Sequence, residues 1–348
     1  MKTMKSRFIL AVVMVFALAS ILAGCSSSNS GGSTGGGNDE QTYTIKYAHN
    51  QLEGTPQDQG TVLFKEKVEE LSEGRIKVEI YPNNQLGSLR EVTESVQGGQ
   101  IELGQQPLGM ISNFAPKLTI NDLPYLYTNE EVMWQVLDGA PGQSLNEEME
   151  RAGFINLGYM SGGPKQFSAN KPLRTVEDFK GVRIRAMPAP IVISTFEALG
   201  ANPIPIEFSE LYNSLQQGVV EGQENPNQTV DMLNLYEVQD YQTLTNHSWM
   251  VYANIMNKAY WESLPKDIQD TILEAMEYAS KEQRVIMQNA ESEYIESIEA
   301  NGCEVVELTD EEIAGLREAT LKVYDEFMDE IGADLIEEFK AEVERLSK

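Results

Sequence analysis

The 348-residue chain carries 26 Lys+Arg against 54 Asp+Glu, a formal net charge of −28. A polyanion of this kind is a poor partner for nucleic acid or for anionic lipid surfaces. The length allows two lobes with separate cores, and two cysteines, Cys25 and Cys303, cannot supply a disulfide framework.

Lys2, Lys5 and Arg7 precede an apolar run of 15 residues, Phe8 to Leu22. A membrane span needs about 20 residues, so the run reads as a secretion signal rather than a stable span. Leu22-Ala23-Gly24-Cys25 resembles the bacterial lipoprotein box, in which the signal is cut before the cysteine and the cysteine carries the lipid. The next residues, SSSNSGGSTGGGNDEQ, have no side chains able to build a core and read as a flexible tether. The expected layout is a lipoprotein signal peptide over 1–24, a tether over 25–41 and a folded domain from Thr42; an uncleaved anchor helix is the alternative. Removing residues 1–24 takes away three positive charges and no negative ones, leaving a net −31.

Beyond the tether the pattern alternates. Tyr43 to His49 reads as a strand, Thr55 to Ser72 as a helix stopped by Gly74, and Ile76, Val78 and Ile80 as a half-buried strand. A helix over Ser88 to Gln97 and a strand over Ile101 to Gly104 follow. This order predicts a mixed or mostly parallel sheet covered by helices. Val132 to Arg151 reads as one helix and Phe154 to Tyr159 as a strand. Ser161-Gly162-Gly163-Pro164 reads as a turn crossing into a second lobe. That lobe holds a turn at Val176 to Phe179, a strand at Val182 to Ala186, a helix at Ile191 to Leu199, and a helix capped by Ser209 and ended by Gly218. An EGQENP turn (Glu221 to Pro226) follows. From Pro265 to Ala300 nothing breaks a helix, and 36 residues span about 54 Å at 1.5 Å each. The apolar positions keep no heptad, so this helix is expected to lie across two lobes rather than in a coiled coil. Helices near Asp310 to Ile331 and Ala333 to Leu346 complete the chain.

Enzyme signatures are missing: there is no G-x-S-x-G, H-E-x-x-H, P-loop or C-x-x-C, and no G-x-G-x-x-G after a strand. His49 and His247 read as structural residues, and Cys303 as a small buried residue before a strand. Binding chemistry is better placed. After Arg185 the next Lys or Arg is Lys258. A lone guanidinium in so acidic a background is a candidate anchor for a carboxylate, because its planar fork matches two oxygens. In Val182-Arg183-Ile184-Arg185-Ala186 the two arginines share a face. Arg183 reads as solvated. Arg185 admits a structural ion pair, but it ends a strand before a Met-Pro-Ala-Pro loop, where ligands of open α/β sheets collect. Asn225, fixed by Pro226, reads as a ligand contact or as a turn-forming residue.

The segments SEGRIKVEIYPNNQLG (Ser72 to Gly87), DFKGVRIRAMPAP (Asp178 to Pro190), FSELYNSLQQGVVEGQENP (Phe208 to Pro226) and YEVQDYQTLTNH (Tyr236 to His247) strongly resemble the DctP-type solute-binding proteins of tripartite ATP-independent periplasmic (TRAP) transporters. The resemblance covers Tyr43 to about Lys340. It implies an α/β, two-lobed periplasmic-binding-protein-like fold with a long helix spanning both lobes. It implies that Arg185 forms a two-pronged salt bridge with a substrate carboxylate, that Asn225 joins it, that Phe208 packs on the substrate, and that Asn50 lines the pocket. In the family pattern G-x-R-x-x-x-x-N a second arginine is common; here Lys165 takes its place as an expected ligand contact beside Arg185, a point charge rather than a fork, suited to a weaker anionic contact or to a hydroxyl or water. Gln105-Gln106-Pro107 stands where the sialic-acid branch has an acid, which argues against that ligand.

The expected division is lobe I over 42–162 plus 251–290 and lobe II over 163–250 plus 291–348. The expected function is not enzymatic: capture of a small organic acid (a C4-dicarboxylate, uronate, aldonate or keto acid) for the small and large membrane subunits of a TRAP transporter. No cofactor or metal is expected, and the location is extracytoplasmic, on a lipid at Cys25. A receptor for an ABC importer or a sensor kinase is the alternative; a secreted hydrolase or lyase is disfavoured by the missing motifs.

Overall fold

The computed structural model describes residues 41–348. The expected signal peptide, Cys25 and the tether up to residue 40 lie outside the described residues. Ten strands run in chain order: β1 (Tyr43–Ala48), β2 (Ile76–Tyr81), β3 (Leu103–Pro107), β4 (Phe154–Ala169), β5 (Arg183–Ala186), β6 (Asn202–Pro205), β7 (Gly222–Pro226), β8 (Tyr241–Leu244), β9 (Trp249–Asn257) and β10 (Glu304–Glu307). The hydrogen-bonded order is β2-β1-β3-β9-β4-β7-β5-β6, with β8 joining β4 to β10. β2, β1 and β3 are parallel, as are β7, β5 and β6; β9 and β4 run antiparallel to their neighbours.

This topology makes a two-lobed α/β protein out of one continuous strand. β4 is 16 residues long. Its first part, to Pro164, pairs with β9, and its last part, Lys165 to Ala169, pairs with β7 and β8. The expected crossing at Ser161 to Pro164 is therefore inside a strand, not a turn. The register slips between Ser161 and Gly163, leaving a bulge. Gly163 sits there with φ +91°, which glycine adopts without strain. The groups freed at the bulge find partners from elsewhere: Ser161 N donates to Gln283 Oε1 (2.7 Å), and Gln283 Nε2 and Gln57 Nε2 both donate to Ser161 O (2.8 and 2.9 Å).

Gln283 belongs to the long helix, Lys266–Ala300, 35 residues and about 52 Å. Its buried residues, Ile268, Ile272, Ala275, Met276, Ala279, Gln283 and Met287, recur at three- and four-residue steps. The helix packs along helix Pro56–Leu71 and β4, then against helix Asn227–Met232 and β10. It therefore spans both lobes, as its uninterrupted sequence predicts. Pro265 is the residue just before its first turn.

Three local expectations are corrected. The single helix over Val132 to Arg151 is two, Glu130–Leu137 and Ala140–Arg151. Pro141 cannot continue a helix, because its ring would strike the carbonyl of residue 137. The Asp310 to Ile331 helix is broken into Asp310–Thr320, Lys322–Glu326 and Met328–Ile331. The EGQENP turn is mostly a buried central strand, β7. Its polar side chains are satisfied inside the fold: Gln223 Nε2 donates to Ser168 Oγ (2.9 Å) and Asn225 Nδ2 to Gln223 Oε1 (2.6 Å). At its start the backbones close in, since a Cβ on Gly222 would lie 2.6 Å from Ser168 O. The last helix, Ala333–Leu346, packs on the helices over 130–137 and 140–151, so the tail returns to a segment expected in lobe I. Among the described residues no helix is long and apolar enough to cross a membrane.

Candidate ligand-binding site

β5 carries Arg185 into the interior. Arg183, two residues earlier on the same face, stays exposed and pairs with Glu221. Arg185 is 3% exposed. Its Nε donates to Ile206 O (2.9 Å), and it makes no ion pair among the described residues. Burial lowers the guanidinium to about 10, with Glu224 and Glu207 opposing the shift. It stays charged at neutral pH, buried, with the outer edge of its fork unpaired among the described residues. Such a group is costly to leave alone and is matched by a carboxylate.

Arg284 gives the contrast. Both of its Nη atoms hold Asp138 (2.6 and 2.9 Å), its Nε donates to Tyr159 O, and it stacks on Trp134 at 3.9 Å. The roomier grooves, about 520 and 530 Å³, flank this arginine and contain none of the expected site residues. Their cations, Arg284 and Lys281, are already engaged by Asp138 and Glu277, so volume is a weaker guide here than the unpaired guanidinium.

Lys165, on β4, is 1% exposed and lies between two acids, Asp122 Oδ1 at 2.8 Å and Glu224 Oε1 at 3.4 Å. Burial alone would lower its ammonium; the two carboxylates overcome that and push it above its ordinary value. Burial likewise works against Glu224, but Lys165, then His247 and Arg185, hold its carboxyl at about 2. His247 Nε2 is 3.3 Å from Glu224 Oε1, and its Nδ1 bonds Thr245 Oγ1 at 2.7 Å. The imidazole stacks on Phe167 and faces Tyr125 edge-on. Tyr125 has φ +56° and Asn246 φ +44°. A bulky residue in the left-handed region is rare, and such strain gathers at functional sites.

The remaining expected residues meet nearby in sequence and fold. Phe208 is half-buried, two residues past the carbonyl that holds Arg185. Phe208 and Asn50 line one cavity with Gln51, Asn83 and Gln228, but it measures only about 30 Å³. That is room for roughly one water. Gln228 Nε2 donates to Gln51 Oε1 (3.3 Å), tying helix Asn227–Met232 to the loop after β1. Asn225 precedes that helix, and its amide nitrogen is held by Gln223.

Asp122 and Glu224 escaped the sequence reading, whereas His247, read as structural, is satisfied by Thr245 and Glu224. Glu224 stood in plain view beside Asn225, but in a chain with 54 acids its neighbours give no cue. Asp122 lies in the 3-10 turn Pro116–Asp122, far in sequence from the lysine it meets. Cys303 matches its expected place: it is buried just before β10, and burial pushes its thiol up to about 12.

A half-buried acid sits where the long helix meets the crossing. Glu291 Oε1 accepts from Asn227 Nδ2 (2.8 Å), while Oε2 is buried without a partner. Burial, opposed by Asn227 and reinforced by Glu130, raises its carboxyl from 4.5 to about 7. The folded value lies above the unfolded one, so the ionised form opposes folding, and stability rises as pH falls from 7 toward 4.5. Glu291→Gln keeps the acceptor for Asn227. It is expected to stabilise the protein at pH 8 by at most about 3 kcal/mol, with no gain at pH 4, by urea unfolding at both pH values.

Two α/β halves joined by the continuous strand β4, with a long helix laid over both, are the architecture of a solute-binding receptor. Residues 47–331 match the family profile DctP, bacterial extracellular solute-binding protein, family 7. A C4-dicarboxylate-binding periplasmic protein DctP from Rhodobacter capsulatus is 33% identical over 303 residues, 86% of this chain and 91% of that protein. The crystal structure of a TRAP periplasmic solute binding protein from Sulfurospirillum deleyianum with bound succinate matches with TM-score 0.82 and 32% identity, covering 86% of this chain and 99% of that one. The sugar acid binding protein DctPAm from Advenella mimigardefordensis, in complex with galactonate, matches with TM-score 0.85 and 28% identity, over 88% and 99%. The chain belongs to the DctP family of TRAP solute-binding proteins, a family of receptors rather than enzymes.

Proposed function

We propose that this receptor captures a small organic acid by clamping its carboxylate on Arg185, with Asn225 and Phe208 beside it and Asn50 across the cleft. The observation that carries this reading is the buried guanidinium with its outer edge unpaired. The relatives support it, since proteins of this family are described with succinate and with galactonate. A cavity of about 30 Å³ admits no such acid. Entry then requires the two halves to separate and close again, with the last helix staying on the first half. Gln51 and Gln228 would be among the contacts that part.

On this reading the loaded receptor delivers its acid to TRAP small and large membrane subunits, and a lipid on Cys25 keeps it at the outer face of the cell membrane. The TRAP relatives favour that assignment over an ATP-driven importer. Lys165 acts mainly by fixing Asp122 and Glu224.

A thermal-shift screen over organic acids tests the reading. An acid at 100 times its dissociation constant adds roughly 2.7 kcal/mol, a shift of several degrees. At least one carboxylate is expected to give it. A screen in which none does, repeated by calorimetry, would remove the Arg185 assignment.

A further inference from the structure

The crossing between the halves carries a carboxylate that the ligand site does not use. Glu291 Oε1, on the long helix, accepts from Asn227 Nδ2 (2.8 Å), and Asn227 Oδ1 accepts from Gln242 Nε2 (2.7 Å). That fixes the Asn227 amide as a donor toward Glu291, so a proton on the acid belongs on Oε2. Oε2 is buried without a partner among the described residues. It lies against the β4 bulge: a Cβ built on Gly163 would sit 3.6 Å from it and 3.5 Å from Pro226 Cβ. The first half brings a like charge to the same place. Gly163 N donates to Ser161 Oγ (3.2 Å), and Ser161 Oγ donates to Glu130 Oε1 (2.9 Å), which Trp134 Nε1 also holds (3.2 Å). Two carboxylates, one tied to Asn227 and one tied to Ser161, therefore flank the point where β4 changes partners.

Resting on the reading that the halves part and close around an acid, we propose that Glu291 is a proton-operated latch on the crossing: protonated on Oε2 it keeps the halves shut, and ionised it favours their parting. The cavity of about 30 Å³ marks this structure as the shut arrangement. In it an ionised Oε2 has no donor, and buried charge without a partner is strongly unfavourable. A bend between the halves falls at the bulge; it moves Gly163 and Glu130 against the helix and lets water reach Oε2. No neighbouring group supplies a counter-charge. Helix Pro56–Leu71 turns Gln57 to the crossing, while its Asp58 faces His49. On β4 Lys165 lies between Asp122 and Glu224. On the long helix Arg284 holds Asp138, and the Tyr294 phenol, pushed up to about 12 by burial, stays neutral. Helix Asn227–Met232 adds only Asp231, a further negative charge. β10, with Glu304 and Glu307 exposed, packs further along, near Ile298. Burial, reinforced by Glu130, sets the Glu291 carboxyl at about 7 in the shut form, and wetting returns it toward 4.5. The shut form then binds more protons than the parted one, so closure gains as pH falls from 8 to 6.

Calorimetry with galactonate on the full chain, at pH 6 and pH 8, tests this; that acid stays ionised across the range. The parent is expected to bind about 10-fold more tightly at pH 6. Glu291→Gln keeps the acceptor for Asn227 and cannot ionise, so it is expected to bind equally at both pH values, as tightly as the parent at pH 6. A parent with no pH dependence, or a variant that keeps the parent's dependence, overturns the latch and leaves the receptor reading intact. If Glu291→Gln fails to fold by circular dichroism, Glu130→Gln is read instead. It removes the facing charge and is expected to shrink the dependence; an unchanged dependence overturns the latch. If galactonate gives no heat, small-angle X-ray scattering of the ligand-free chain takes its place. The parent is expected to be more extended at pH 8 than at pH 6, and Glu291→Gln equally compact at both. Equal profiles for the parent at the two pH values overturn the latch, whereas the receptor reading stands or falls by the separate thermal-shift screen.

Discussion

Arg185→Met is expected to abolish acid binding while raising the melting temperature of the empty protein. Both halves of that result come from one observation. The guanidinium is buried, and Ile206 O is its sole hydrogen-bond acceptor among the described residues. In the ligand-free protein the desolvated guanidinium opposes folding, an effect that Glu224 and Glu207 offset only in part. A methionine of similar reach removes that penalty and is expected to add about 1–3 kcal/mol to stability. In the loaded state the same charge is the counter-ion, and removing one partner of a buried pair costs roughly 2–5 kcal/mol, on the order of 30- to several-thousand-fold in affinity. Arg185→Lys separates fork from charge. It keeps the positive charge but loses the two-pronged geometry, so affinity is expected to fall at least about 30-fold. Calorimetry with the best acid from the screen, and melting curves without ligand, read both effects. If Arg185→Lys binds as tightly as the parent, the two-pronged contact is wrong. If Arg185→Met melts below the parent, the guanidinium has a structural partner.

Lys165→Met is expected to have the opposite signature. It leaves Asp122 and Glu224 facing each other in the interior without their shared cation. Breaking a buried pair in this way costs about 3–5 kcal/mol, or on the order of 10 °C in melting temperature for a chain of this size. Lys165→Met with Glu224→Gln removes one of the stranded charges and is expected to recover part of the loss. The pair of variants, measured by urea unfolding, distinguishes a structural ion cluster from a direct ligand contact. Unchanged stability in Lys165→Met would mean that its ammonium serves the ligand instead.

Much of the fold was legible because periodicity and breakers are local signals. The long helix announced itself by 36 residues without a Gly or internal Pro, and Ile76, Val78 and Ile80 announced a half-buried strand. Errors fell where tertiary context decides. β7 reads Gly-Gln-Glu-Asn-Pro, a turn composition, yet it is a central strand because Ser168, Lys165 and His247 satisfy its side chains. The crossing at Ser161 to Pro164 reads as a turn, yet it continues β4 because Gln283 and Gln57 satisfy its bulge. The site divided along the same line. Arg185 stood out by charge isolation along the chain. Asp122 could not, since nothing near it in sequence marks an acid that will meet a lysine 43 residues away.

The shared strand β4 also limits how such a receptor can be remodelled. It hydrogen-bonds to β9 in its first part and to β7 and β8 in its last. A cut anywhere along it would strip a central strand from both halves at once. Neither half is a self-sufficient module that could be exchanged for the matching half of another receptor. New ligand preferences must then arise by replacing side chains around the cleft, not by shuffling lobes.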